Sequence, residues 1–158
     1  MENIKLTTYI NAPVETCFEL ARSIDLHVNS MQHTHEKAIA GKTTGIIDLN
    51  ETVTWHARHF GMSFMMQIKI TELDTHRSFT DEMTKGPFKS LHHQHKFELL
   101  EQGTIMIDEF QFESPLGWIG RIADKLLLKD YLTNLLIQRN NTIRHHAEIT
   151  TMKHDKAY

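Results

Sequence analysis

Residues 91 to 99 read LHHQHKFEL, three histidines within four positions of a stretch that otherwise looks like a strand. Side chains alternate along an extended chain, so His93 and His95 point the same way as Leu91, Phe97 and Leu99, while His92 points the other way with Ser90, Gln94, Lys96 and Glu98. Two inward imidazoles among apolar neighbours have three chemical uses: orienting the polar part of a ligand, exchanging protons, or chelating a metal. The same alternation sorts the other strand-like segments. Val53, Trp55, Ala57 and His59 share a face, as do Met62, Phe64, Met66, Ile68 and Ile70, and Phe79, Asp81 and Met83. Over 104–113 the parity is open, because Ile105 and Ile107 compete with Met106, Phe110 and Phe112; if the second set faces in, Asp108 comes with it. A buried polar group without a partner costs about 1–3 kcal/mol. An inner set of His59, Asp81, His93, His95 and Asp108 therefore needs one another, water, a ligand or a metal.

The elements that must position these groups follow from the periodicity. Residues 4–10 read as a strand, and NAPVETCFELAR opens a helix in which Val14, Cys17, Phe18 and Ala21 recur at helical spacing, burying Cys17 as a small hydrophobe. SIDLHVNSMQ reads as a second short helix or turn, capped by Ser23 or Asp25. From about residue 36 the period becomes two, and six strand-like runs separated by turn signals make an antiparallel meander. After SPLG the pattern returns to helix from about Trp118 to Glu148, with Ile122, Leu126, Leu132, Leu135, Leu136 and Ile143 on its apolar stripe. The expected fold is α+β: a curved antiparallel sheet of about seven strands, two short helices after the first, and one long C-terminal helix packed on the sheet. Such a sheet cannot close everywhere against a single helix, so a cavity between them is expected. Residues 1–148 form the ligand-binding domain of this reading, and 149–158 a polar, frayed tail.

Bulk properties narrow the function classes. A 158-residue chain is one domain in size. A net charge of −3 without a basic block gives no reason to expect nucleic acid. A single cysteine cannot make an internal disulfide, and MENIKLTTYI lacks the features of a signal peptide, which together suit the cytoplasm. The apolar run IADKLLLKDYLTNLLI is broken by Asp124, Lys125, Lys129 and Asp130, so no stable membrane insertion is expected. No dinucleotide loop, P-loop or activated nucleophile is present, and neither a cofactor nor a catalytic residue is assigned. Of the 12 histidines, those at 33, 35, 56 and 92 read as surface, and the pair 145–146 lies near the end of the long helix.

Taken together, INAPVETCFELA, ETVTWHARHFG, FTDEMTKGPFKSLHHQHKFE and DEFQFESPLG before a long helix resemble the SRPBCC superfamily, the helix-grip fold of START lipid-transfer domains, polyketide cyclases and plant pathogenesis-related proteins. More narrowly the chain is similar to a bacterial single-domain branch described as cyclase/dehydrase-like, over residues 4 to 147. The resemblance implies a deep hydrophobic cavity between sheet and C-terminal helix, and carries over to Trp55, His59, Asp81, Phe88, His93, His95 and Asp108. It departs at Asn50, where the pattern has Gly; Asn tolerates a left-handed turn. The fold alone does not settle the chemistry.

The expected function is binding of a small hydrophobic or amphipathic molecule. The ligand site is read as Trp55, His59, Phe64, Met66, Phe79, Asp81, His93, His95, Phe97, Asp108 and Phe110, with the His and Asp groups orienting the ligand's polar part. The alternative is a cyclase- or dehydratase-like enzyme using the same groups for acid–base chemistry. A third reading joins His93 and His95 to His59 and an Asp around a metal, but a two-residue His spacing arises easily by chance in a His-rich chain, and no metal is assigned. Edge strands or the long helix leave a homodimer open.

Overall fold

The computed structural model describes residues 1–114 and 127–155, with side chains through Lys153. Strand β1 (Glu2–Ile10) leads into helices α1 (Val14–Ala21) and α2 (Ile24–Ser30) and a 3-10 turn at Gln32–Thr34. The meander follows as β2 (Lys37–Gly41), β3 (Thr52–His59), β4 (Met62–Asp74), β5 (Ser78–Lys85), β6 (Ser90–Leu100) and β7 (Gly103–Glu113), and the long helix α3 is Lys129–Asp155. The strands form one sheet in the order β1-β7-β6-β5-β4-β3-β2, with every pair antiparallel. Hairpins make neighbours of consecutive strands; only β1 crosses over, to cover the far edge of β7.

Local chemistry accounts for the elements. The buried face of α1 is Val14, Cys17, Phe18 and Ala21, three to four residues apart. The Ser23 side chain accepts the Leu26 backbone N–H at 3.2 Å and starts α2, so Ser23 rather than Asp25 is the cap. Asn50 takes the left-handed conformation (φ 65°) foreseen for it. Phe60 and Gly61 both have positive φ (52° and 76°), the conformation of a two-residue turn that follows the twist of β3 and β4. In β7 the strict alternation settles the open parity: Thr104, Met106, Asp108, Phe110 and Phe112 are buried.

Two apolar clusters make the core. One gathers Ile10, Phe18, Val53, Ile70, Phe79, Phe97, Met106 and Ile143 beneath α1 and α2. The other gathers Ile4, Leu91, Phe110, Phe112 and Leu136. Met66 packs against both, and the cavity described below opens where they meet.

Of two expectations about α3, one is untested and the other needs revision. The onset near Trp118, with Ile122 and Leu126, lies outside the described residues. At the other end the helix passes Glu148 and runs to Asp155, so 149–155 is helix rather than frayed tail. Polarity decides whether a segment is buried, not whether it is helical. Fully buried Ala147 anchors the turn, and the Thr150 and Thr151 hydroxyls donate back to the carbonyls of His146 and Ala147. At 1.5 Å per residue the 27 residues span about 40 Å, enough to cross the sheet. No helix among the described residues is long and apolar enough to cross a membrane.

Candidate functional site

A cavity of about 460 Å³ lies between the concave face of the sheet and α3. Trp55, Phe64, Met66, Phe79 and Phe110 line it from the sheet, and Leu132, Leu135 and Leu136 from the helix. Its walls are mainly apolar. Polar groups collect at two places.

The inner polar group is built by register. Asp81 stands opposite His93 across β5 and β6, and His95 stands opposite Asp108 across β6 and β7. A bulge that leaves Thr71 unmatched, between the pairs Ile70–Asp81 and Glu72–Thr80, lies beside Asp81. His93 Nε2 donates to Asp108 Oδ1 at 2.9 Å, and Asn140 Nδ2 donates to Asp108 Oδ2 at 2.6 Å. His95 Nδ1 is also 2.9 Å from Asp108 Oδ1, a close approach without hydrogen-bond alignment, since that nitrogen has no hydrogen-bond partner among the described residues. On their other sides the rings face Asp81: His95 Nε2 is 3.4 Å from Oδ2 and His93 Nδ1 is 4.0 Å from Oδ1. Arg139 Nη1 comes within 3.6 Å of Asp108, and Arg139 Nη2 donates to the Ala21 carbonyl at 2.9 Å, tying α3 to α1. Aromatic rings brace the imidazoles. Phe79 stacks on His95 (4.1 Å, 18°) and Phe110 meets His93 edge-on (5.0 Å, 79°).

The electrostatics follow from burial and partners. Burial and the neighbouring His95 push His93 down to about 4, so its ring is neutral at pH 7 despite the two carboxylates. Burial opposes ionisation of Asp108, but the His93 hydrogen bond and the closeness of both imidazoles outweigh it and hold the carboxyl well below its usual range. Asp81 is lowered by the same balance, burial against His95 and His93.

The second polar group lies elsewhere on the wall. His59 Nδ1 hydrogen-bonds Tyr131 Oη at 2.7 Å, and His27 pairs with Glu36 while stacking on Trp55 at 4.3 Å. Burial lowers the pKa of His59 and raises that of Tyr131, and in each case the Glu36 charge adds an upward push.

Nine of the eleven residues expected at the site line the cavity: Trp55, His59, Phe64, Met66, Phe79, Asp81, His93, His95 and Phe110. Two do not. Phe97 shares their parity but lies deeper, packed edge-on against Phe18 at 5.4 Å and beside Phe79, so it is core. Asp108 is fully buried behind the two histidines and acts through them. Nor does His59 join the inner group: it pairs with Met62, eight residues along β4 from the Ile70 that faces Asp81. His92 points to the opposite face, where it is half-buried rather than solvated.

Sequence reasoning missed Arg139, Asn140, Tyr131, His27 and Glu36. A signal existed for the first two. They follow Leu136 by three and four residues and precede Ile143 by four and three, on the stripe that packs against the sheet.

No protein-family profile and no curated protein matches the sequence. Solved structures do resemble it. Protein TTHA0849 from Thermus thermophilus superposes with a TM-score of 0.71 at 17% identity, covering 90% of this chain and 97% of that one. Major latex-like protein 151 from Panax ginseng gives 0.68 at 16% identity, over 92% and 97%. Protein Ms6760 from Mycobacterium smegmatis gives 0.68 at 16% identity, over 94% and 92%. At these identities the likeness establishes the fold, which is the helix-grip architecture expected from the sequence resemblance.

Proposed function

We propose that this chain binds one small hydrophobic or amphipathic molecule between the sheet and α3. One observation carries the reading: a cavity of about 460 Å³, within the range of small-molecule sites, whose apolar walls are interrupted by a few convergent polar groups. Trp55, Phe64, Met66, Phe79 and Phe110 would bury the apolar body, and methionine lets the wall adapt to its shape. His93, His95 and Asp81 would receive a polar end, and His59 with Tyr131 a second one.

An acid–base enzyme of cyclase or dehydratase type is the second reading, favoured by the Asp108 carboxylate that orients the His93 ring. A base with a pKa near 4 is poorly matched to proton abstraction at neutral pH, so binding is preferred.

Native mass spectrometry of freshly purified protein, compared with its denatured mass, tests the reading alongside titration with the apolar dye anilinonaphthalene sulfonate. The expected result is an organic adduct lost on denaturation, or one saturable dye site. A clean native mass together with no saturable dye uptake would overturn it.

A further inference from the structure

We infer that Asp81, His93 and His95 form a mononuclear site for a divalent first-row cation of borderline softness, such as Zn²⁺ or Fe²⁺, at the inner end of the cavity. The inference does not depend on what fills the apolar part. Three features of the geometry carry it.

One donor atom from each residue lies within 4.8 Å of the other two. Bonds of 2.0–2.1 Å around a tetrahedral cation set ligand atoms roughly 3.4 Å apart. His95 Nε2 is 3.4 Å from Asp81 Oδ2 and His93 Nδ1 is 4.0 Å from Asp81 Oδ1, close to that spacing, and side-chain rotation has at most about 1.4 Å to close between any two donors.

The imidazoles are also aimed for the task. Each offers one nitrogen toward Asp108 and the other toward Asp81. A carboxylate behind a metal-binding histidine fixes its tautomer and makes the opposite nitrogen more basic. Asp108 stands in that place for His93 through a hydrogen bond and lies 2.9 Å from His95 Nδ1, and Asn140 in turn orients Asp108 at 2.6 Å. Asp81, His93 and His95 line the cavity, whereas Asp108 does not, which separates three inner ligands from one outer support.

The donor set selects the ion. Two imidazoles and a carboxylate suit zinc and ferrous iron, while calcium and magnesium prefer all-oxygen shells and copper(I) prefers sulfur. Two carboxylates against one guanidinium leave surplus negative charge for a divalent ion to offset. Three protein ligands leave at least one coordination position for water or for a polar group of a cavity-bound molecule.

The test uses the full chain freed of metal with a chelator and titrated with Co²⁺, whose visible absorption reports coordination by nitrogen and oxygen. One equivalent is expected to bind, with Zn²⁺ displacing it. Asp81→Asn, an isosteric change at a partly exposed position, should weaken binding by more than about 100-fold, the upper end of the loss seen for outer-sphere changes. The substitution His145→Gln, at an exposed position of α3, should leave it unchanged. Circular dichroism confirms that each variant is folded. Absence of a saturable Co²⁺ site in the wild type, or binding of equal strength in Asp81→Asn, overturns the inference. Dye uptake by the metal-free protein reads the apolar pocket separately: dye binding without Co²⁺ binding removes only the metal, and the reverse removes only the apolar-ligand reading.

Discussion

Replacing Asp108 by Asn changes one atom in a fully buried side chain, and the structure says how badly that should fit. Every polar neighbour of the carboxylate is a donor or presents a nitrogen. Oδ1 receives His93 Nε2 at 2.9 Å and faces His95 Nδ1 at 2.9 Å and Arg139 Nη1 at 3.6 Å, while Oδ2 receives Asn140 Nδ2 at 2.6 Å. A carboxylate accepts from all of them. An amide turned either way points its NH₂ at a nitrogen, and it removes the nearer of the two carboxylates that balance the buried Arg139 guanidinium. Breaking a buried pair by removing one partner costs about 3–5 kcal/mol, or roughly 6–20 °C in Tm for a domain of this size. Urea unfolding of the metal-free protein at pH 7 measures the loss. The partner experiment exchanges the amide and the acid. In Asp108→Asn with Asn140→Asp, the new carboxylate accepts from the new amide, and the Thr8 hydroxyl, now 3.2 Å from Asn140 Nδ2, can rotate to donate. Recovery of at least about 1 kcal/mol, the net value of one hydrogen bond, is expected in the double variant. A single-variant loss below about 1 kcal/mol, or no recovery in the double, would refute the donor arrangement assigned around Asp108.

Three other outcomes are expected. His93 has a pKa of about 4 in the folded chain against 6.5 unfolded, so between those values the unfolded chain holds a proton that the folded chain lacks. Metal-free protein should therefore lose about 3 kcal/mol as pH falls from 6.5 to 4 and nothing from this group above 6.5; His93→Gln should flatten that slope in urea titrations, and an unchanged slope would contradict the assignment. The Asp108 contribution is lost only at more acidic pH, as its depressed pKa is crossed, and falls outside this window. Phe18 is fully buried, edge-on to His76, Phe79 and Phe97 and beneath the Arg22 guanidinium, so Phe18→Ala should cost about 3–5 kcal/mol in urea unfolding. Ala57 is a small buried residue on the cavity wall, and Ala57→Phe should fill the space, weakening dye affinity at least about tenfold while overpacking costs about 1–3 kcal/mol; undiminished dye binding would place the ligand elsewhere.

Half-buried Phe64 illustrates how far alternation reaches. Its parity was legible, and it does face inward, but it is wall rather than full core, so truncation should disturb binding more than stability. Phe97 shows the opposite case: right parity, yet sealed beneath Phe18 and Phe79 because α1 packs over that end of β6. Asp108 was ambiguous for a physical reason. Both faces of β7 carry large apolar side chains, so composition could not say which one meets the core.

The sequence by itself determined the order of elements, the two-residue alternation that turns His93 and His95 inward, and the helical stripe of α1 and α3. These are properties of a single segment's backbone geometry, and a single segment suffices to read them. The tertiary structure alone decided that Asp81 falls opposite His93, that His95 falls opposite Asp108, and that α3 docks with Arg139 and Asn140 against the same carboxylate. Register between strands and the rotation of a docked helix are set by contacts between residues distant in the chain, where a shift of one residue along a strand would turn every side chain to the other face. The inner polar group exists only at that level, because its members come from three strands and a helix that share no local pattern.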